Sequence, residues 1–194
     1  MLENGTPFFS LWAKSIQNSN TLLLNVSENE LKELKKGNII TNLDVSTLEN
    51  KTKQNLNFLI KGMHPNNCST ALRKLSLYEQ FSTFLDFVKQ SYYHEPSQVL
   101  TFHLDSPILP IPFILTFKLP RITKEGIYPF NFEIGMFKGL QGQIIIDEFD
   151  NRCIFLTSAH WEGPHTGFNE TLIEVFASTL AKLGMEKLIR ISRF

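Results

Sequence analysis

The stretch GLQGQIIIDEFDNRCIFLT, residues 139–157, decides the fold. Ile144-Ile145-Ile146 is a β-branched run, Phe149-Asp150-Asn151 is turn chemistry, and Cys153-Ile154-Phe155-Leu156-Thr157 is a second apolar run, so the stretch reads as two strands joined by a turn. Upstream, Phe130, Phe132 and Ile134 alternate with Asn131 and Glu133, the period of two that marks a strand with one buried face. Downstream, a Gly/Pro loop leads into one long amphipathic helix, read from Glu170 to Arg190, with Asn169 as its N-cap and an acidic first turn. An apolar antiparallel sheet delivered onto a single long helix implies a sheet wrapped around that helix, with a cavity between them suited to an apolar ligand.

The N-terminal half extends this pattern. Pro7 to Ile16 carries Phe8, Phe9, Leu11, Trp12 and Ile16 at near-helical spacing. Ser27 and Glu30 form a capping box ahead of Leu31 to Lys36, and Gly37 stops that helix. Asn38 to Leu48 reads as a strand ending in the polar turn Glu49-Asn50-Lys51, and Leu56 to Met63 as a second strand. After His64-Pro65-Asn66-Asn67 two short helices are expected, Ser69 to Leu75 and Leu77 to Val88. The second rests on the helical spacing of Leu77, Phe81, Phe84, Leu85 and Val88.

From Gln98 the period changes to two. Leu100, Phe102 and Leu104 share a face opposite Thr101, His103 and Asp105. Beyond a turn enclosed by Pro107, Pro110 and Pro112, Phe113, Leu115 and Phe117 alternate with Ile114, Thr116 and Lys118. Runs of strands bounded by helices, without strand–helix alternation, read as α+β with an antiparallel sheet. The organisation expected is an N-terminal helical extension over residues 1–33 and one domain over 34–194.

Charge is balanced at 19 acidic against 19 basic residues, which gives no footprint for nucleic acid and no tail for electrostatic recruitment. The 17 Phe against 4 Tyr and 2 Trp point to an unusually apolar interior, because Phe carries no polar atom that needs a partner. That interior is either a filled Phe core or a Phe-lined pocket. Cys68 and Cys153 are too few for a disulfide framework and leave a single bridge open. A reducing, cytoplasmic setting is the default expectation, periplasmic if a leader segment has been removed.

In the last helix, Leu172, Phe176, Leu180 and Leu183 form one stripe. Ile173, Ala177, Leu180, Gly184 and Leu188 form its neighbour, and Gly184 costs about 1 kcal/mol relative to Ala. In element order the chain resembles the START-like, or helix-grip, superfamily, which includes polyketide cyclases, coenzyme Q-binding START proteins and the birch-pollen-allergen family, and in particular bacterial START-like proteins of unassigned function. The resemblance runs from Leu34 to Arg190. It is carried by Leu34-Lys35-Lys36-Gly37-Asn38-Ile39-Ile40, by the strand Leu56 to Met63 with its two following helices, by Leu77-Tyr78-Glu79-Gln80-Phe81, and by Lys138 to Arg190. The Asp/Trp landmarks after the first strand are replaced here by Asn66-Asn67-Cys68 and Leu75-Ser76-Leu77. The fold implied is a curved antiparallel sheet gripping the C-terminal helix, with two short helices after the first core strand.

The function implied is binding, with transport or sequestration, of a lipid-like or isoprenoid-like molecule, without catalysis and with no cofactor. The expected lining is Phe102, Leu104, Phe113, Leu115, Phe117, Phe130 and Phe132 from strands, His160 as the pocket histidine, and Phe176, Leu180 and Leu183 from the helix. Two alternatives are a cyclase or aromatase acting in the same cavity, and a filled domain acting through protein contacts. For acid–base work the candidates are Glu133, His103 and His160, the first two expected to face solvent. His160-Trp161-Glu162-Gly163-Pro164-His165 lacks the helical spacing of a zinc motif, so no metal is expected. Gly135, Gly139 and Gly142 fit strand bulges rather than a phosphate loop. The Pro107–Pro112 tip is read as a cavity entrance or membrane-touching loop, or as a rigid hairpin packed on the helix.

Overall fold

The computed structural model describes residues 26–48, 51–105, 107 and 112–191. The expected helix at Pro7 to Ile16, the turn at Glu49-Asn50 and the interior of the Pro107–Pro112 tip lie outside the described residues.

Helix α1 (Glu28–Lys35) precedes strands β1 (Ile40–Leu48) and β2 (Lys53–Met63). Helix α2 (Cys68–Leu75), a 3-10 turn (Tyr78–Gln80) and the single helical turn α3 (Phe81–Phe84) follow. Six strands come next: β3 (Val88–His94), β4 (Val99–Leu104), β5 (Phe113–Lys118), β6 (Gly126–Ile134), β7 (Gln141–Phe149) and β8 (Arg152–Pro164). Helix α4 (Glu170–Ile191) ends the described chain. All eight strands pair antiparallel in one sheet, in the order β1-β2-β8-β7-β6-β5-β4-β3. This is the α+β architecture expected, a sheet curved around the C-terminal helix.

Local chemistry explains the boundaries. Ser27 caps α1 by accepting the Glu30 N–H, and the Glu30 carboxylate accepts the Ser27 N–H in return at 2.8 Å. Asp150 and Asn151 both adopt positive φ, 52° and 58°, which gives the β7–β8 hairpin the twist it needs. Asn169 caps α4 by accepting the Leu172 N–H at 2.8 Å. The buried Gln54 fixes the entry to α4, accepting the Thr166 N–H and donating to the Phe168 carbonyl. Glu170 and Glu174 then accept the Thr47 and Val45 N–H groups of edge strand β1, so the helix is tied along that edge.

Several expectations are corrected. The helix expected from Leu77 to Val88 is instead a 3-10 turn, the single turn α3 and the start of β3. Leu85 is already extended (φ −116°, ψ 109°), and Val88 begins a Tyr-containing strand. Phe81, Leu85 and Val88 are buried all the same, so their spacing reported a shared core and not a shared helix. Gly135 and Gly139 (φ 92° and 89°) lie in the β6–β7 turn rather than in bulges. A register shift between β5 and β6 places Ile134 beside the outward Thr116, so it leaves the face of Phe130 and Phe132 and stands 54% exposed. Strand β8 runs on to Pro164, taking in the Gly/Pro segment expected as a loop before the long helix. Leu172 is 40% exposed, and the neighbouring Ile173 is the buried position.

The two cysteines pair. Cys68, at the start of α2, is bonded to Cys153 on β8, and both are fully buried. No helix among the described residues is long and apolar enough to cross a membrane.

Candidate functional site

Strand register assigns each side chain to one face of the sheet. One inner row runs Thr41, Ile60, Thr157, Ile144, Tyr128 across β1, β2, β8, β7 and β6. The next runs Leu43, Phe58, Ala159, Gly142, Phe130. Farther along, Phe132 pairs with Phe117, and Phe117 with Leu100. On the outer face α1 covers Met63, Ile145, Ile154 and Leu156 with Leu34.

The inner face is dry at one end and accessible in the middle. Near α2, Ala71, Leu72, Ile146, Phe155 and the disulfide are buried. Phe58, Thr157, Ile144, Tyr128, Phe132, Phe117, Leu115 and Phe102 are only half-buried, although they face α4 from the body of the sheet. The placement of α4 explains this. Its backbone approaches β1 and β2, together with α2 and α3, and stands away from β4 to β7. A closely packed interior buries its side chains, so the inner face under β4 to β8 is covered less closely than the end near α2.

This part of the inner face is largely aromatic. Phe81 stacks on Phe102 (5.7 Å), Phe102 meets Phe117 edge-on (5.6 Å), and Phe117 stacks on Phe132 (5.1 Å), with Phe130 6.2 Å beyond. Such contacts hold the rings in fixed orientations. The floor between them is shallow at Ala159 and Gly142. A Cβ on Gly142 would lie 2.4 Å from the Ser158 carbonyl oxygen and 2.6 Å from the Phe130 ring, so this position admits no side chain. Trp161, fully buried against Phe137, closes the end beyond Ala159, and its indole N–H donates to the Lys138 carbonyl.

The structure brings Phe102, Leu115, Phe117, Phe130 and Phe132 together, with Phe176 and Leu180 half-buried on the same core. Leu104 shares their face but is buried at its edge, paired with Phe113, whose backbone alone is described. Leu183 is half-buried outside that core cluster. His160 is not with them. It is exposed on the outer face, its Nδ1 2.8 Å from the Asn57 Oδ1 across β2. Glu133 is exposed, and His103 faces outward against Tyr92 at the rim of a shallow groove of about 480 Å³ that also takes in Lys89, Gln90 and Ile114. Thr157, Ile144, Tyr128 and Phe58 were missed. The sequence signal for Thr157 was its parity with Cys153 and Phe155, masked because β8 is apolar on both faces.

Polar chemistry concentrates away from this aromatic face. Arg121 donates to both carboxylate oxygens of Glu79, to Glu95 and to the Ser76 carbonyl, and stacks over Tyr78 and Tyr93. These bonds hold the Glu79 carboxyl below its ordinary range, while burial pushes the Tyr78 phenol up. Tyr78 donates to the Pro120 carbonyl and accepts the Ile122 N–H, so this is a clamp between loops. The two inner rows through Thr157 and Ala159 hold no carboxylate, imidazole or amine. Among the described residues, the grouping of Cys68 with Glu125 and Glu148 could suggest a metal, but the sulfur is committed to the disulfide and offers no thiolate.

No family model matches the chain, and no curated protein sequence matches it. Solved structures do. The Zhui aromatase/cyclase from Streptomyces sp. R1128 superposes with a TM-score of 0.60 at 8% identity, over 71% of this chain and 93% of its own. A START superfamily protein from Mycobacterium smegmatis gives 0.55 at 7% identity, over 80% and 97%. Ara h 8.0201 gives 0.50 at 10%, over 72% and 99%. The fold is therefore the START-like helix grip.

Proposed function

On this helix-grip frame, we propose that the chain binds, and carries or sequesters, a lipid-like or isoprenoid-like molecule between α4 and the strands β4 to β8. The observation that supports this reading is the half-exposed Phe ladder beneath a helix whose backbone stands away from it. Covering that wall with an apolar ligand would be favourable by about 25 cal/mol per Å². A cyclase or aromatase in the same space would draw on an acid or base there; the two inner rows hold no carboxylate, imidazole or amine, and the Tyr128 phenol is engaged with the Lys124 carbonyl. A filled domain would have buried its rings. The buried disulfide further supports an oxidising compartment over the cytoplasm, because such bridges persist there.

The test is titration with N-phenyl-1-naphthylamine, a neutral probe that fluoresces in apolar surroundings, alongside native mass spectrometry of the purified protein. The wild type should light the probe saturably. Ile144→Trp, which adds bulk to the half-buried wall, should weaken it at least tenfold while keeping the melting temperature, and Leu115→Trp provides an independent filler. A probe that stays dark with the wild type, or is indifferent to both fillers in folded protein, refutes the cavity.

A further inference from the structure

Thr157 sits mid-sheet on β8, its register partners being Ile60 on β2 and Ile144 on β7. It faces inward and is half-buried. Tyr128 shares the Thr157 row two strands away, while Tyr93 and Ser91 lie on the far strand β3, and all three are already engaged. Tyr128 donates to the Lys124 carbonyl, Tyr93 to the Leu119 carbonyl and Ser91 to the Tyr78 carbonyl. The Thr157 hydroxyl makes no hydrogen bond to the described residues, and α4 presents Phe176 and Leu180 over the same core. Thr41, at the far end of the row, is separated from this space by Ile60, which is buried under Ile189. A hydroxyl in partly desolvated surroundings gains most from a partner that the ligand brings, because water competes poorly there.

We infer that Thr157 is the polar anchor of the cavity, and that the ligand is an apolar molecule with a single carbonyl or hydroxyl oxygen set against an otherwise hydrocarbon surface. This rests on the cavity reading above. It adds a specificity: the aromatic wall supplies affinity for any apolar body of the right size, and Thr157 selects the molecule whose oxygen falls at mid-sheet. β-Branched Thr in a strand has few rotamers, so its hydroxyl is held in place at little entropic cost.

The test uses fluorene and 9-fluorenone, ring systems that differ by one carbonyl oxygen, in equilibrium dialysis against wild type, Thr157→Val and Thr157→Ser. Thr157→Val should weaken fluorenone by about fivefold, the worth of one hydrogen bond, and leave fluorene unchanged. Thr157→Ser, which keeps the hydroxyl, should retain fluorenone binding. Equal loss of both compounds in Thr157→Val, or no loss of either, overturns the anchor while leaving the cavity standing. Failure of the wild type to bind either compound overturns the cavity reading and the anchor with it. Thermal melts of each variant report folding independently of binding.

Discussion

Two helices cover the two faces of one sheet, with opposite results. The eight-residue α1 seals the outer face: its own Leu34 is 1% exposed, and beneath it Met63 and Ile154 are 2% and 1% exposed. The 22-residue α4 lies over the inner face and leaves a ladder of phenylalanines half-wet. Length does not decide closure; how many apolar side chains meet beneath the helix does. α1 packs Leu31 and Leu34 into the cluster of Met63, Ile145, Ile154 and Leu156 and is pinned by Glu30 to the buried Lys61 of β2 at 2.8 Å. α4 is held to one edge by Glu170 and Glu174, so side chains alone span the distance to β5 and β6. Leaving that apolar area accessible forgoes about 25 cal/mol for each Å². Stability must come from elsewhere, and the closed end of the inner face supplies it.

The largest expected effect is at that end. The Cys68–Cys153 bond closes a loop of 85 residues, and its loss through Cys68→Ala/Cys153→Ala should cost about 4 kcal/mol, mainly by freeing the unfolded chain. At this size that lowers the melting temperature by roughly 10 °C. N-phenyl-1-naphthylamine affinity, measured well below the new melting temperature, should not change. A parallel fall in affinity would show that the closed end shapes the cavity and that the two regions are not separable.

The next effect tests the two faces directly with the same kind of truncation. Leu34→Ala removes a side chain that is 1% exposed in a dry cluster and should cost about 3 kcal/mol in urea unfolding. Ile144→Ala, on the half-wet inner wall, should cost about 1 kcal/mol, because much of its surface already meets solvent. Equal costs would mean that the inner face is packed as tightly as the outer one.

This contrast also explains what the sequence disclosed. Alternation at Leu100–Leu104 and Phe113–Phe117 revealed the inner wall because those strands are wet or polar on the outside. The hairpin at Asp150-Asn151, the caps at Ser27 and Asn169 and the long helix were legible from local chemistry. β8 was opaque: Ile154 and Leu156 are buried beneath α1 while Cys153 and Phe155 are buried on the other face, so its apolar run carries no period. That hid Thr157 and made His160 look unassigned, when register with Asn57 sends it outward. Leu77 to Val88 failed for a different reason. Residues that converge on one core from a 3-10 turn, a helical turn and a strand can imitate a helical stripe.

The smallest effect separates the outer seal from the cavity by pH. The hydrogen bond from Lys61, and then that from the Ser27 N–H, hold the Glu30 carboxyl below its ordinary value of 4.5. A carboxyl with a depressed pKa in the folded state contributes stability that is complete above the unfolded value and is lost as pH falls through the folded one. Glu30→Gln keeps the shape but not the charge. It should be less stable than wild type by about 1 kcal/mol at pH 7, a modest figure because Glu30 remains partly solvated. The gap should narrow as the wild-type carboxyl protonates below pH 4.5, whereas the glutamine side chain has nothing to titrate. Urea unfolding of both proteins at pH 7 and pH 3 measures it. A gap of the same size at both pH values would assign the contribution to hydrogen-bond shape rather than charge. A change in probe affinity at pH 7 would mean that the outer helix governs the inner face after all.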